Sequence, residues 1–158
     1  MTFTNDQEVI EKADMIFASL PHGLSEKYAK QCDEQGKKFI DLGADFRLDQ
    51  EKDYQQWYQH DYQYPQLHEK QVYGLSEVNR EQIKQASIIG NPGCYPTSIT
   101  LGLYPLLKNH MHKDEKIIID SKIWNNRSWK VFNRKIPIFL NVMNHFIHIK
   151  IQVIVIHL

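Results

Sequence analysis

The chain has 158 residues, with 19 Lys plus Arg balanced by 19 Asp plus Glu, so its formal net charge is zero. That length suits one ordinary domain, and the balance excludes both the basic field of a nucleic-acid binder and an acidic solvating tail. Two cysteines, Cys32 and Cys94, lie far apart, and the eight histidines are scattered rather than set at ligand spacing, so neither a disulfide framework nor a metal site is expected.

Thr4, Asn5 and Asp6 offer caps to a short amphipathic turn carrying Val9, Ile10 and Ala13. Met15–Leu20 is a brief apolar run of the kind that forms a buried parallel strand, and Pro21-His22-Gly23 breaks it. A helix is predicted from about Ser25 to Gln35, with Tyr28 and Cys32 one turn apart and Gly36 as its stop. Lys38–Gly43 is the next strand, and strand, helix, strand at this spacing make one βαβ unit with a parallel sheet. The polar, aromatic stretch from Asp45 to Leu67, with Tyr54, Trp57, Tyr58, Tyr62 and Tyr64, reads as a short helix and a surface loop, its aromatic stripe as half-buried packing rather than a ligand platform. Val72-Tyr73-Gly74 re-enters the core, and Ser76 is placed to cap a helix from Glu77 to about Gln85.

Ser87–Ile89 then feeds a turn, Gly90-Asn91-Pro92-Gly93, and Cys94 follows at once. Beyond it Ile99, Leu101, Leu103, Leu106 and Leu107 recur with helical spacing, and Pro96 suits a first helical turn. Cys94 therefore sits on a strand–turn–helix junction, where unpaired N–H groups and the positive end of the helix dipole favour a thiolate. A small buried core cysteine is the ordinary alternative for an isolated Cys. Lys116–Asp120 reads as a further strand.

From Ile123 onward the chain contains no glycine, alanine or acidic residue. It has strand propensity without turn chemistry or clean alternation, and local and global signals disagree. Its apolar end, from Phe146, is too short and too interrupted by His148, Lys150 and Gln152 to span a bilayer. With no basic-then-apolar leader at the start, the chain reads as cytoplasmic.

The stretch GNPGCYPTSITLGLYPL around Cys94 resembles the active-site signature of N-acetyl-gamma-glutamyl-phosphate reductases, which are related in architecture to aspartate-semialdehyde dehydrogenase. Ser19–Gly23 (SLPHG), Phe39–Leu48 (FIDLGADFRL) and Val72–Arg80 (VYGLSEVNR) are similar to that family in the same order. The resemblance implies an α/β fold, a partial doubly wound, Rossmann-like parallel sheet followed by the start of a substrate domain. It implies NADPH-dependent reduction of an acyl phosphate to a semialdehyde, with Cys94 as the nucleophile that forms a thioester. Asn91, Pro92 and Gly93 would shape the site, and Glu77 and Asn79 would line or support it, a helix-cap or surface role being equally open. Ser19, Pro21, His22 and Gly23 match a loop at the carboxyl end of a strand, where nucleotides bind in such sheets. His22 is open as a base or as a structural histidine. Asp45 and Arg47 are open as an ion pair, or Arg47 as a phosphate ligand. The family implies a small-molecule substrate, a homo-oligomer, and neither nucleic acid nor membrane as partner.

Two departures bear on activity. No G-x-x-G-x-x-G turn precedes Ala13, and no HRH element of a substrate domain follows the Cys94 segment. The organisation expected is residues 1–90 as a partial NADP-binding domain without its first glycine-rich βα unit, 91–122 as the cysteine turn, helix and following strand, and 123–158 as an atypical, frame-shifted tail. Ile123–Lys130 can be encoded by ATC TGG AAT AAC CGG AGC TGG AAA, which one base later reads SGITGAG, the turn the family would place there. A second shift from about Ile136 permits a stretch containing HRH. Such a chain is expected to be inactive alone. An intact small thiol enzyme using His22, or a non-catalytic subunit pairing through strand edges, are the alternatives.

Overall fold

The computed structural model describes residues 5–109, 111, 135–142 and 145–152. The chain divides into two compact units, Met1–Pro92 and Gly93–Leu158. In chain order the first holds α1 (Asp6–Lys12), β1 (Met15–Ala18), α2 (Ser25–Glu34), β2 (Lys38–Asp41), α3 (Glu51–Tyr58), α4 (Pro65–His68), β3 (Gln71–Tyr73), α5 (Ser76–Gln85) and β4 (Ile88–Gly90). The second holds α6 (Cys94–Lys108), β5 (Lys135–Val142) and β6 (His145–Gln152).

Within the first unit the strands form one sheet in the order β1-β2-β4-β3, with every neighbouring pair parallel. This is the α/β sheet expected from the strand–helix–strand spacing. Helix α1 opens on Asn5, whose side chain accepts from the Glu8 N–H. Helix α2 closes on Gly36 at φ +66°, with Lys37 N–H donating to Cys32 O at 2.8 Å and Gly36 N–H to Asp33 O at 3.1 Å. That pair of bonds is a Schellman stop, which an L side chain at Gly36 would strain.

The core lies on one side of the sheet, where Ala29 and Cys32 of α2 meet Ala18, Phe39, Ile88, Phe46 and Leu67. Register explains the choice of face. Ile16 and Ala18 share their side with Phe39 and Asp41, whereas Met15 and Phe17 share theirs with Lys38 and Ile40. Contrary to the buried strand expected, β1 is an edge strand with Phe17 63% exposed. A four-residue apolar run does not reveal that only one of its two faces is covered.

The aromatic stretch packs its rings as expected of the stripe, with more helix than the single one read from the sequence. It forms two helices, α3 and α4, and fully buries Tyr54 and Leu67. Buried His68 stacks between Tyr62, at 3.4 Å between ring centroids, and Phe46, at 4.8 Å. Its Nδ1 lies 3.2 Å from Gln71 Oε1. The Tyr54 and Tyr62 hydroxyls donate to Asp45 and to Leu48 O while their rings pack, which is how a glutamine- and tyrosine-rich segment can enter a core. Ser76 is not a cap: Leu75 holds the cap position without a side-chain bond, and Ser76 is the first helical residue of α5.

In the second unit α6 begins at Cys94 and carries Pro96 in its first turn, as expected. Ile99 and Leu107 are buried, while Leu101 and Leu106 are exposed. Strands β5 and β6 pair antiparallel, from Lys135 opposite Gln152 to Val142 opposite His145. The strand expected over Lys116–Asp120 lies outside the described residues. Among the described residues no helix is long and apolar enough to cross a membrane.

Candidate active site

Parallel strands deliver their loops to the carboxyl end of the sheet, and within the first unit the Ser19–Gly23, Phe39–Leu48 and Val72–Arg80 motifs each lie on such a loop or run from a strand into one. The loop after β2 is the hub of the first unit. Asp41, buried at the end of that strand, accepts from Gly43 N–H at 3.0 Å, Asp45 N–H at 3.0 Å and Ser25 Oγ–H at 2.8 Å. Burial pushes the Asp41 carboxyl up from its ordinary value, the Ser25 and Gly43 bonds oppose that, and Asp45 adds to it.

Asp45 reaches back to the loop after β1. Its carboxylate accepts from Gly23 N–H at 2.9 and 3.0 Å, Ser25 N–H at 3.0 Å and Tyr54 O–H at 2.7 Å. Arg47 reaches forward: its Nε donates to Asn91 O at 2.8 Å and its Nη2 to Leu42 O at 3.0 Å. The ion pair between Asp45 and Arg47 left open by the sequence is not among the salt bridges of the described residues. Each instead ties a different loop, because both face backbone groups left over at strand ends. Asn91 N–H also donates to Asp41 O at 2.8 Å, so the start of the Asn91-Pro92 turn is fixed from two sides.

The other expected residues separate into structural and free groups. Asn79 donates through Nδ2 to Tyr73 O at 2.9 Å, at a non-helical position (φ −110°) that kinks α5. Glu77 is exposed in the first turn of α5. Ser19, Pro21 and His22 are exposed, and the His22 ring lies 4.8 Å from that of Tyr58. Gly23 adopts φ +80°.

The two thiols differ sharply. Cys32 is fully buried on α2, and burial pushes its thiol up, with the Lys37 charge opposing. A protonated, enclosed thiol is a poor nucleophile. Cys94 is exposed and free, the first residue of a 15-residue helix whose cap position, Gly93, supplies no side-chain bond. Thr97, one turn on, donates through Oγ1 and N–H to Gly93 O. Among the described residues no group of three or more His, Cys, Asp and Glu is arranged to hold a metal ion.

A parallel α/β sheet, followed in the sequence by a helix that opens on an exposed cysteine, defines a nucleotide-binding type of fold. Residues 1–86, more than half of the chain, match the semialdehyde dehydrogenase, NAD binding domain, family, and the chain belongs to that family. It is 56% identical over 119 residues to an N-acetyl-gamma-glutamyl-phosphate reductase of Clostridium botulinum, covering 75% of this chain and 35% of the relative. It is 50% identical over 125 residues to the protein of that name from Brachyspira hyodysenteriae, covering 75% of this chain and 36% of the relative. The protein of that name from Acinetobacter baylyi is 47% identical over 119 residues, covering 74% of this chain and 34% of the relative. The chain thus spans about a third of the length of the curated relatives it matches.

The family is one that binds a nicotinamide cofactor, whose phosphates need open N–H donors. Two such donors in the segment from the Ser19–Gly23 loop into α2 are already engaged. At Gly23 and Ser25, where α2 opens, the backbone N–H groups already donate to the Asp45 carboxylate.

Proposed function

We propose that this chain is part of an N-acetyl-gamma-glutamyl-phosphate reductase, which reduces N-acetylglutamyl 5-phosphate to N-acetylglutamate 5-semialdehyde and releases phosphate in arginine biosynthesis. NADP as the particular cofactor and a cytoplasmic location belong to the same reading. One observation carries it: the exposed, free Cys94 opens α6 directly after Asn91-Pro92-Gly93. The relatives' shared name supports it.

In this reading the Cys94 thiolate attacks the acyl carbon of the substrate. The bond from that carbon to the phosphate oxygen breaks, phosphate leaves with the electron pair, and a thioester remains. The N–H groups of Cys94 and Tyr95, at the uncapped start of α6, are the donors for the transient oxyanion. Completing the relatives' reaction takes a hydride from NADPH, and no residue described here is assigned to that step. The contribution of this chain is acylation.

The test is to incubate the chain with acetyl phosphate, the simplest acyl phosphate, quench in acid, and map the peptides by mass. An acyl adduct on the Cys94 peptide, lost in Cys94→Ser, is expected. An unmodified Cys94 in protein whose Cys94 still alkylates would overturn the assignment.

The organisation 1–90, 91–122 and 123–158 is proposed with it, the last segment being a frame-shifted continuation. Its composition supports this. Sequencing the gene beyond codon 122 decides the point: neither shifted frame reading as SGITGAG-like or HRH-containing sequence would end the idea.

A further inference from the structure

The start of α2 is the kind of place where a doubly wound sheet takes an anion: a glycine-containing loop after a parallel strand, leading into a helix. We propose that in this protein it is closed to nucleotide phosphate, because Asp45 is its resident anion. The inference goes beyond the acylation reading and does not depend on it.

Four observations converge. First, two backbone N–H groups of that end, those of Gly23 and Ser25, are already taken. Gly23 N–H donates to both Asp45 oxygens and Ser25 N–H to Oδ2, while Ser25 Oγ–H is spent on Asp41. Leu24, at the cap position, supplies no side-chain bond, so a carboxylate twenty residues away does what a neighbouring Ser or Asp does elsewhere. Second, Asp45 is buried, 1% exposed, and fixed from behind by Tyr54 O–H at 2.7 Å. Displacing it would strand a buried phenol.

Third, charge opposes a second anion. Asp41 and Asp45 are both buried, and among the described residues neither forms a salt bridge with Lys, Arg or His. A phosphate entering here would meet two buried carboxylates that no salt bridge offsets. Fourth, side chains from another segment lie against Gly23. Gln63 Nε2 donates to Gly23 O at 2.9 Å, and a Cβ built on Gly23 would lie 3.5 Å from the His60 ring. The Ser19–Gly23 motif is therefore a fastening between the loops after β1 and β2, and the phosphates of the cofactor must be held by other residues.

The test follows the amide resonances of Gly23 and Ser25 in the labelled 158-residue chain, titrated with inorganic pyrophosphate and, separately, with NADPH. Neither ligand should shift them saturably at millimolar concentration. In Asp45→Asn both amides should exchange with solvent about tenfold faster or more. Tyr54→Phe, which leaves the carboxylate on the amides, should keep the wild-type insensitivity to ligand if the Asn variant does not fold. A saturable shift of Gly23 and Ser25 in the wild-type chain, or unchanged exchange in a folded Asp45→Asn, would overturn the proposal.

Discussion

Two junctions in this chain share one local plan and serve opposite ends. After β1 the backbone turns through Pro21-His22-Gly23 into α2; after β4 it turns through Asn91-Pro92-Gly93 into α6. Both helices begin without a side-chain bond from the cap residue itself. At the first, a buried carboxylate from another loop occupies the N–H groups of Gly23 and Ser25. At the second, an exposed thiol stands at the first helical position. The lesson is that a strand–turn–helix motif fixes a geometry but not a use. What decides the use is whether a distant residue has already claimed the helix end.

The largest effect should come from crowding the loop that supplies that claim. A Cβ on Gly90 would fall 1.6 Å from Phe46 O and 2.5 Å from Phe46 C, so the backbone after β2 crosses the end of β4 with no room to spare. Gly90→Ala should cost on the order of 4 kcal/mol or more, read as a lower denaturant midpoint or loss of soluble protein. A wild-type midpoint would mean that the two segments are not packed together as described.

A smaller effect separates the two thiols. Cys32→Ser places an unpartnered hydroxyl in the core and should destabilise by about 1–3 kcal/mol. Cys94→Ser, at an exposed position, should stay within about 0.5 kcal/mol of wild type. Equal losses on denaturation would erase the distinction between a structural and a free cysteine.

The smallest is a titration. Burial pushes the Tyr73 phenol up to about 12, with the Arg47 charge opposing and Tyr58 adding to the rise. In the unfolded chain this phenol ionises near its ordinary ~10. Its contribution to stability is therefore fully present below pH ~10 and is lost as pH rises through the folded value. Tyrosinate absorbance should show a step near pH 12 that disappears in Tyr73→Phe; one transition near 10 for every tyrosine would contradict it.

Sequence patterning located most elements because each depends on neighbours: the β1-α2-β2 unit, the Gly36 stop, β4, and the helix opening at Cys94. It did not show the function of Asp45, whose partners Gly23 and Tyr54 lie 22 residues before and 9 after it and leave no periodic signal. Nor did it show that Arg47 bonds the carbonyl of Asn91 rather than a carboxylate. The full burial of Tyr54 and the burial of His68 were hidden for a related reason: polar-tipped rings in a glutamine-rich segment read as half-buried until their partners are known. The Cys94 junction was legible because its chemistry and its local geometry are encoded in the same few residues.

The contrast between the junctions is tested most directly by limited alkylation near neutral pH, followed by mapping of the two cysteine peptides. The account predicts that Cys94 is labelled first, while Cys32 stays unmodified until the chain is denatured. Labelling of Cys32 in the folded protein ahead of Cys94 would contradict it.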